Sequence, residues 1–210
     1  MSSIVAVNGS ARQNGVTAAL LTRFLDECAA LGAETEMIHV GTLMQRQRMP
    51  FCTACTSPCD GRCLLGSELA QAYDMLERAD GVLFGTPVYY SNVSAQLKAF
   101  FDKSRRWRLS GSFTDLLGAV LVTGGAVYGG QENTAAALQA MMLVHGMIVI
   151  GDGAREADPG HHALYGGPDA ESDPYLRSRL RIAARRMVGL CDRLGRSKEP
   201  LHGPANEKRV

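Results

Sequence analysis

The sequence predicts a doubly wound α/β fold on one parallel sheet. Three observations carry that expectation. Five short apolar runs read as buried strands. Segments with apolar residues at helical spacing alternate with them. The junctions after the first, third and fourth runs carry anion-binding and aromatic residues, at the carboxyl ends of strands where ligands of such sheets collect.

Taken in order, Ile4–Asn8 (IVAVN) is β-branched and stops at Gly9. Val16, Leu20, Phe24, Cys28 and Leu31 then recur at helical spacing, with Gly32 as the stop. Glu34–Val40 (ETEMIHV) is a second strand, followed by an irregular stretch holding four cysteines. Ser67 can cap a helix through Leu69, Tyr73, Leu76 and Ala79. Gly81–Gly85 is the third strand, and Ser94–Arg106 a helix with Leu97, Phe100 and Phe101 on one face. Ala119–Thr123 is the fourth strand, Glu132–His145 a helix, Met147–Gly151 the fifth strand and Pro174–Leu194 the last helix. Right-handed crossovers leave few topologies, and the flavodoxin-like order 2-1-3-4-5 is the one expected.

Composition narrows the class. A chain of 210 residues, 46% hydrophobic and 20% charged, suits one globular domain, expected over residues 1–194 with a cysteine insert at 50–64 and a polar, fraying tail at 195–210. A net charge of +1 argues against nucleic-acid binding over the whole surface. Apolar runs fall short of the ~20 residues that span a bilayer, and the N-terminus lacks a secretory pattern, so a cytoplasmic setting is expected. There a cysteine cluster reads as metal-binding or redox-active rather than as a disulfide framework.

Three loops carry the chemistry. Gly9–Thr17 (GSARQNGVT) offers the Ser10 and Thr17 hydroxyls, the Arg12 guanidinium and free N–H groups at a helix start, which together fit one dianionic phosphate. The signatures of a nucleoside-triphosphate P-loop and of a pyrophosphate-binding G-x-G-x-x-G are both missing. A phosphate monoester such as FMN fits, and so does a plain polar capping loop. After the third strand, Thr86–Asp102 places Pro87 before Tyr89 and Tyr90, either of which is a stacking surface for a flat ring or a half-buried core residue. After the fourth, Thr123–Asn133 (TGGAVYGGQEN) has four glycines, permitting close backbone approach to a ligand or simply a flexible turn.

With these segments in order, GSARQNGVT, ADGVLFGTPVYYSNVSAQLKAFFDKS and VTGGAVYGGQE, the chain from Ile4 to about Gly151 resembles the NADPH-dependent FMN reductase and iron–sulfur flavoprotein family. The resemblance implies that Ser10, Arg12, Asn14, Gly15, Val16 and Thr17 hold the FMN phosphate. It implies that Pro87, Val88, Tyr89, Tyr90 and Ser91 border the isoalloxazine ring, with Thr123, Gly124 and Gly125 on its far side. It also implies a homodimer or homotetramer with the flavin near the subunit interface.

Iron–sulfur members of that family carry a compact four-cysteine run between the second strand and the next helix, where Cys52, Cys55, Cys59 and Cys63 fall. The spacing here is C-x2-C-x3-C-x3-C, whereas the usual run has two residues in its second gap and more in its third. Four ligands in one short loop suit a [4Fe–4S] cube. A structural zinc usually joins two separated knuckles, and uncoordinated, vestigial or redox-sensing thiols are the third reading.

Other features have plain readings. Arg177, Arg179, Arg181, Arg185 and Arg186 read as the solvated face of the last helix. Arg105, Arg106 and Arg108 flank Trp107, where they could meet an NADPH phosphate, sit at an interface or complement a helix end. His161 and His162 read as surface of a long loop, and Cys28 and Cys191 as small core residues. The expected function is FMN-dependent transfer of electrons from NADPH or NADH to a quinone, free flavin or redox protein, with the flavin carrying the chemistry and no side-chain acid or base. A flavodoxin-type electron carrier and a cysteine-based redox sensor are the alternatives.

Overall fold

A computed structural model describes residues 1–153 and 160–195. The expected tail from 196 onward and the middle of the 152–173 loop lie outside the described residues. The elements run β1 (Ser3–Asn8), α1 (Val16–Ala30), β2 (Glu34–His39), α2 (Val40–Gln45), α3 (Glu68–Arg78), β3 (Gly81–Pro87), α4 (Ala95–Lys103), α5 (Arg105–Ser110), β4 (Leu117–Thr123), α6 (Gln131–Val144), β5 (Ile148–Val149), β6 (Leu164–Gly166) and α7 (Pro174–Leu194). The parallel sheet has the order β2-β1-β3-β4-β5, as the sequence predicts.

Strand side chains alternate between two cores, as a period of two requires. Ile4, Ala6, Leu83 and Leu121 pack with α1 and α7. Val5, Val7, Phe84 and Val122 face the other way, against α2 to α6. On that second face, Tyr73 is fully buried between Phe100 and Trp107, at ring separations of 4.6 and 4.5 Å. Its hydroxyl is satisfied by the Phe100 carbonyl at 2.6 Å.

Five features differ from the sequence expectation. The second strand ends at His39, because Val40 and Met44 turn inward as the buried face of the short helix α2. The helix expected over Ser94–Arg106 breaks at Ser104, whose hydroxyl donates to the Phe101 carbonyl and competes with the helical ladder. The fifth strand keeps only Ile148 and Val149. The chain leaves the sheet at Gly151, where a Cβ would stand 2.3 Å from the His161 carbonyl oxygen, and β6 returns to pair with Leu121–Thr123 of β4. The sheet therefore has six strands, not five.

Last, Arg179 is not on the solvated face of α7. It is buried and bonds the Asp152 carboxylate, while Arg177, Arg181, Arg185 and Arg186 are exposed as expected. Asp152 also accepts from the His161 N–H at 2.6 Å, which pinches the neck of the loop. Among the described residues, no helix is long and apolar enough to cross a membrane.

Candidate functional site

The loop after β1 is built from its last strand residue outward. Asn8 ends a buried apolar run and is itself fully buried. Its side-chain oxygen accepts from the Ser10 N–H at 3.0 Å, and its amide donates to the Arg12 carbonyl at 3.3 Å and to His39 Nδ1 at 3.2 Å. Burial lowers the His39 pKa, which favours the neutral form that accepts at Nδ1. Gly9 lies hard against the next strand. Its N–H donates to the Gly85 carbonyl at 2.7 Å, and a Cβ would come within 2.9 Å of both that oxygen and Leu97. The Ser94 hydroxyl, which caps α4 through the Leu97 N–H, donates to the Gly9 carbonyl. Gly41 lies under the same loop, 2.8 Å from the Ser10 carbonyl oxygen at its would-be Cβ.

The result is a fixed turn with an open end. Gly15 precedes α1 without a side-chain cap, and no acidic residue occupies the first turn. The first N–H groups of a helix have no partners within it, so this end carries unspent partial positive charge. Arg12, Gln13 and Asn14 are exposed beside it, while Ser10 and Thr17 are buried. Thr17 Oγ1 meets Thr123 Oγ1 at 2.8 Å, which joins the first loop to the end of β4.

The other two loops meet the same edge. Val88 N–H donates to the Thr123 carbonyl at 2.8 Å. Tyr89 and Asn92 exchange backbone bonds at 2.9 and 3.0 Å around Tyr90 and Ser91, both with positive φ, which makes a tight hairpin turn. Tyr90 is thereby thrown fully into solvent and Tyr89 is 39% exposed, so neither is the half-buried core residue that the sequence allows. Asn133 donates to Ser91 Oγ at 3.2 Å, closing the third loop onto the second. Gly124 donates to the Gly166 carbonyl at 2.9 Å and packs on Gln131, while Gly125 has open space around it.

The structure thus brings Ser10, Thr17, Pro87, Val88, Ser91, Thr123 and Gly124 to one sheet edge. Asn8, Gly9, His39 and Ser94 hold that edge, and the sequence reading passed over them. The legible signal was Asn8, a polar residue closing an otherwise apolar buried strand. A cavity of about 620 Å³ lies farther along, between the β4–α6 loop, β6 and the start of α7. It does not reach the β1 loop.

The four cysteines lie on the loop between α2 and α3. Cys52 and Cys59 are half-buried, and Cys55 and Cys63 are exposed. The loop is held by local contacts. Ala54 N–H points at Cys52 Sγ at 3.4 Å, Thr56 pairs with Asp60, and Asp60 pairs with Arg62 at 2.6 Å, a contact that holds the exposed carboxyl down at about 2. Buried Leu64 anchors it, and Gly61 abuts Arg106. Among the described residues, no three His, Cys, Asp or Glu side chains are gathered as a metal would need. The ligand set suggested by spacing is therefore not assembled. A groove of about 570 Å³ runs from Cys52 past Lys98 and Arg108 to His145. His145 is pushed down to about 4 by burial and then by Arg108, and its Nε2 pairs with Ser104 Oγ at 2.9 Å.

An uncapped helix start and a clamped turn, met by two further loops at the switch point of a 2-1-3-4-5 sheet, define a flavodoxin-like protein. Comparison with known proteins agrees. The family description of NADPH-dependent FMN reductases matches residues 2–161. An iron-sulfur flavoprotein of Methanocaldococcus jannaschii is 33% identical over 173 residues, covering 81% of this chain and 84% of that protein. An iron-sulfur flavoprotein of Methanosarcina thermophila is 32% identical, over 71% of this chain and 77% of that protein. The apo crystal structure of an NADH:FMN oxidoreductase superposes with a TM-score of 0.68 over 95% of this chain and 92% of that one, at 22% identity, which bears on the fold alone. The chain belongs to the NADPH-dependent FMN reductase family, and its class is that of a flavin-dependent oxidoreductase.

Proposed function

We propose that the protein oxidises NADPH or NADH on FMN seated at the three loops and passes the electrons to a small or protein acceptor. The observation that carries this reading is the clamped turn from Asn8 to Thr17, which leaves the α1 N-terminus uncapped beside exposed Arg12. Those residues fit a phosphate monoester. Ser10, Asn14, Gly15, Val16 and Thr17 would ring it with hydroxyl and N–H donors, and Arg12 would add a charge-assisted contact. FMN when bound supplies two-electron exchange with a nicotinamide and release to an acceptor in one or two steps.

The protein's share is placement and polarity. Pro87–Ser91 would offer one border for the ring, with the N–H groups of Tyr90 and Ser91, unpaired among the described residues, as donors where negative charge builds. Thr123, Gly124 and Gly125 would offer the other, the open space at Gly125 allowing close backbone approach. The Thr17–Thr123 bond fixes the phosphate end relative to the ring end.

The relatives' names include an iron–sulfur group. Here the four thiols are dispersed and the loop's hydrogen bonds serve the loop itself, so Cys52, Cys55, Cys59 and Cys63 as placed do not fit a [4Fe–4S] cube, and no electron step is assigned to them. A homo-oligomer in a cytoplasmic setting completes the reading. Titration of the colourless apoprotein with FMN, followed by NADPH oxidation with a quinone, tests it. Binding with turnover is the expected result. Protein that takes up no FMN overturns the reading, and bound FMN without turnover leaves an electron carrier.

A further inference from the structure

We infer that the cavity of about 620 Å³ between the β4–α6 loop and the start of α7 seats the electron acceptor, and that it selects a flat aromatic molecule that is uncharged or cationic. This rests on the proposed function, which places the flavin ring against Thr123–Gly125. The cavity shares that loop. Val127, Tyr128 and Gly130 form one wall, and the Gly124–Gly166 bond of 2.9 Å fastens the opposite wall to it. An acceptor in this cavity would therefore border the same backbone as the ring.

Shape and surface point to a flat apolar occupant. Val127 is 63% exposed and Tyr128 fully exposed, although both belong to a wall of the cavity. Large apolar groups left uncovered around a concave site mark a binding surface. Across from them Tyr165 presents its ring, and its hydroxyl lies 2.6 Å from His162 Nε2. Burial, then Glu132 and Asp152, push that phenol up to about 12, so it stays a neutral donor for a carbonyl oxygen.

Charge sets the selection. Glu132, Asp169 and Asp173 line the cavity, and among the described residues no Lys, Arg or His does. Three carboxylates around an apolar hollow repel phosphates and sulfonates and tolerate neutral or cationic guests. That disfavours free FMN and the dinucleotide itself as occupants. A quinone satisfies every wall. Its reduction takes two electrons and one proton from the hydride of NAD(P)H and a second proton from solvent, giving hydroquinone and NAD(P)+.

The test is calorimetric titration of the FMN-loaded protein with duroquinone, uncharged and without a free ring position for thiols, and with anthraquinone-2-sulfonate. Duroquinone is expected to bind at one site, and the sulfonate about tenfold or more weaker, with the gap shrinking in high salt. Gly167→Leu fills the hollow from a position where a Cβ meets only Val127, at 3.6 Å. It should weaken duroquinone binding more than about tenfold while the flavin absorbance is retained. Gly167→Ala should act in the same direction to a smaller degree if the larger variant fails to fold. Glu132→Gln with Asp169→Asn should bring the two affinities within about threefold. Unchanged duroquinone binding in both Gly167 variants, or equal affinity for the two quinones in the parent protein, overturns the assignment. A chain that takes up no FMN fails the proposed function instead, and the same titration of apoprotein still reads the cavity.

Discussion

The β1–α1 loop and the four-cysteine loop both concentrate reactive side chains, and the fold treats them in opposite ways. The first is tied by bonds that reach across the molecule: Asn8 to His39, Gly9 to Ser94, Thr17 to Thr123. The second is tied by bonds spanning two to four residues, Cys52 to Ala54, Thr56 to Asp60 and Asp60 to Arg62. Long-range bonds between buried groups fix a geometry before a ligand arrives, and short-range bonds between exposed groups cost little to rearrange. The first loop thus has its geometry fixed in advance, and the second would have to rebuild itself around anything it holds.

The largest expected effect comes from breaking the clamp. Asn8→Ala removes three hydrogen bonds, one buried and two part-buried, and leaves the Ser10 N–H and the Arg12 carbonyl to find new partners. Each buried group left unsatisfied costs about 1–3 kcal/mol. The apoprotein should lose several kcal/mol of stability in urea unfolding, and FMN affinity should fall by about 100-fold or more. Full FMN affinity in a folded Asn8→Ala protein would show that the clamp does not preform the site. Cys59→Ala, at a half-buried thiol of the second loop, should change neither quantity by as much.

Acid should act next, through two histidines, buried His145 and half-buried His39. The His145 pKa of about 4 lies below the ordinary value of 6.5, so between these pH values the unfolded chain binds the proton more readily. Stability is then complete above about pH 6.5 and declines by about 3 kcal/mol as pH falls toward 4. His39 shifts in the same direction through burial, and its protonated Nδ1 could no longer accept from Asn8. Urea midpoints between pH 8 and pH 4.5 should show the decline in the parent and lose most of it in His145→Gln. FMN retention over the same range should follow His39 and survive the His145 change.

These contrasts also mark what a sequence discloses. Strand order and the three loops were legible because a buried parallel strand needs an unbroken apolar run and a ligand loop needs small, polar or cationic residues. Asn8 was visible as a polar residue in such a run, but its partner His39 lies on another strand, and no spacing rule connects them. The β5 break escaped because MIVIG has strand character to its end, and nothing in it marks the close approach of the His161 carbonyl, which leaves no room for a Cβ at Gly151. Arg179 looked like its solvated neighbours until Asp152 was folded beneath it. The cysteine spacing was plain, but proximity in sequence does not gather side chains in space.

Arg12→Ala sharpens the comparison at smaller scale. Its side chain is exposed and makes no long-range bond among the described residues, so apoprotein stability should change by less than about 0.5 kcal/mol. Its expected role is toward the phosphate alone. FMN affinity should drop about tenfold, with a weaker salt dependence than in the parent. A large loss of stability with unchanged FMN affinity would move Arg12 from the ligand to the scaffold.

The smallest energetic effect is expected at Cys55. Cys55→Ser alters an exposed group, so unfolding should shift by less than about 0.5 kcal/mol. The informative readout is thiol reactivity. Cys55 and Cys63 should react first with an aromatic disulfide reagent and Cys52 and Cys59 more slowly. Cys28 and Cys191, both pushed up to about 12 chiefly by burial, should react only on unfolding. Anaerobic loading with iron and sulfide offers the opposite outcome. If the loop rebuilds around a cube, all four loop thiols become protected together and Cys55→Ser removes the protection, whereas a loop that keeps its present bonds leaves Cys55 and Cys63 reactive. The two patterns differ in the number of fast-reacting thiols, which makes the count a direct measure of whether local bonding can yield to a ligand.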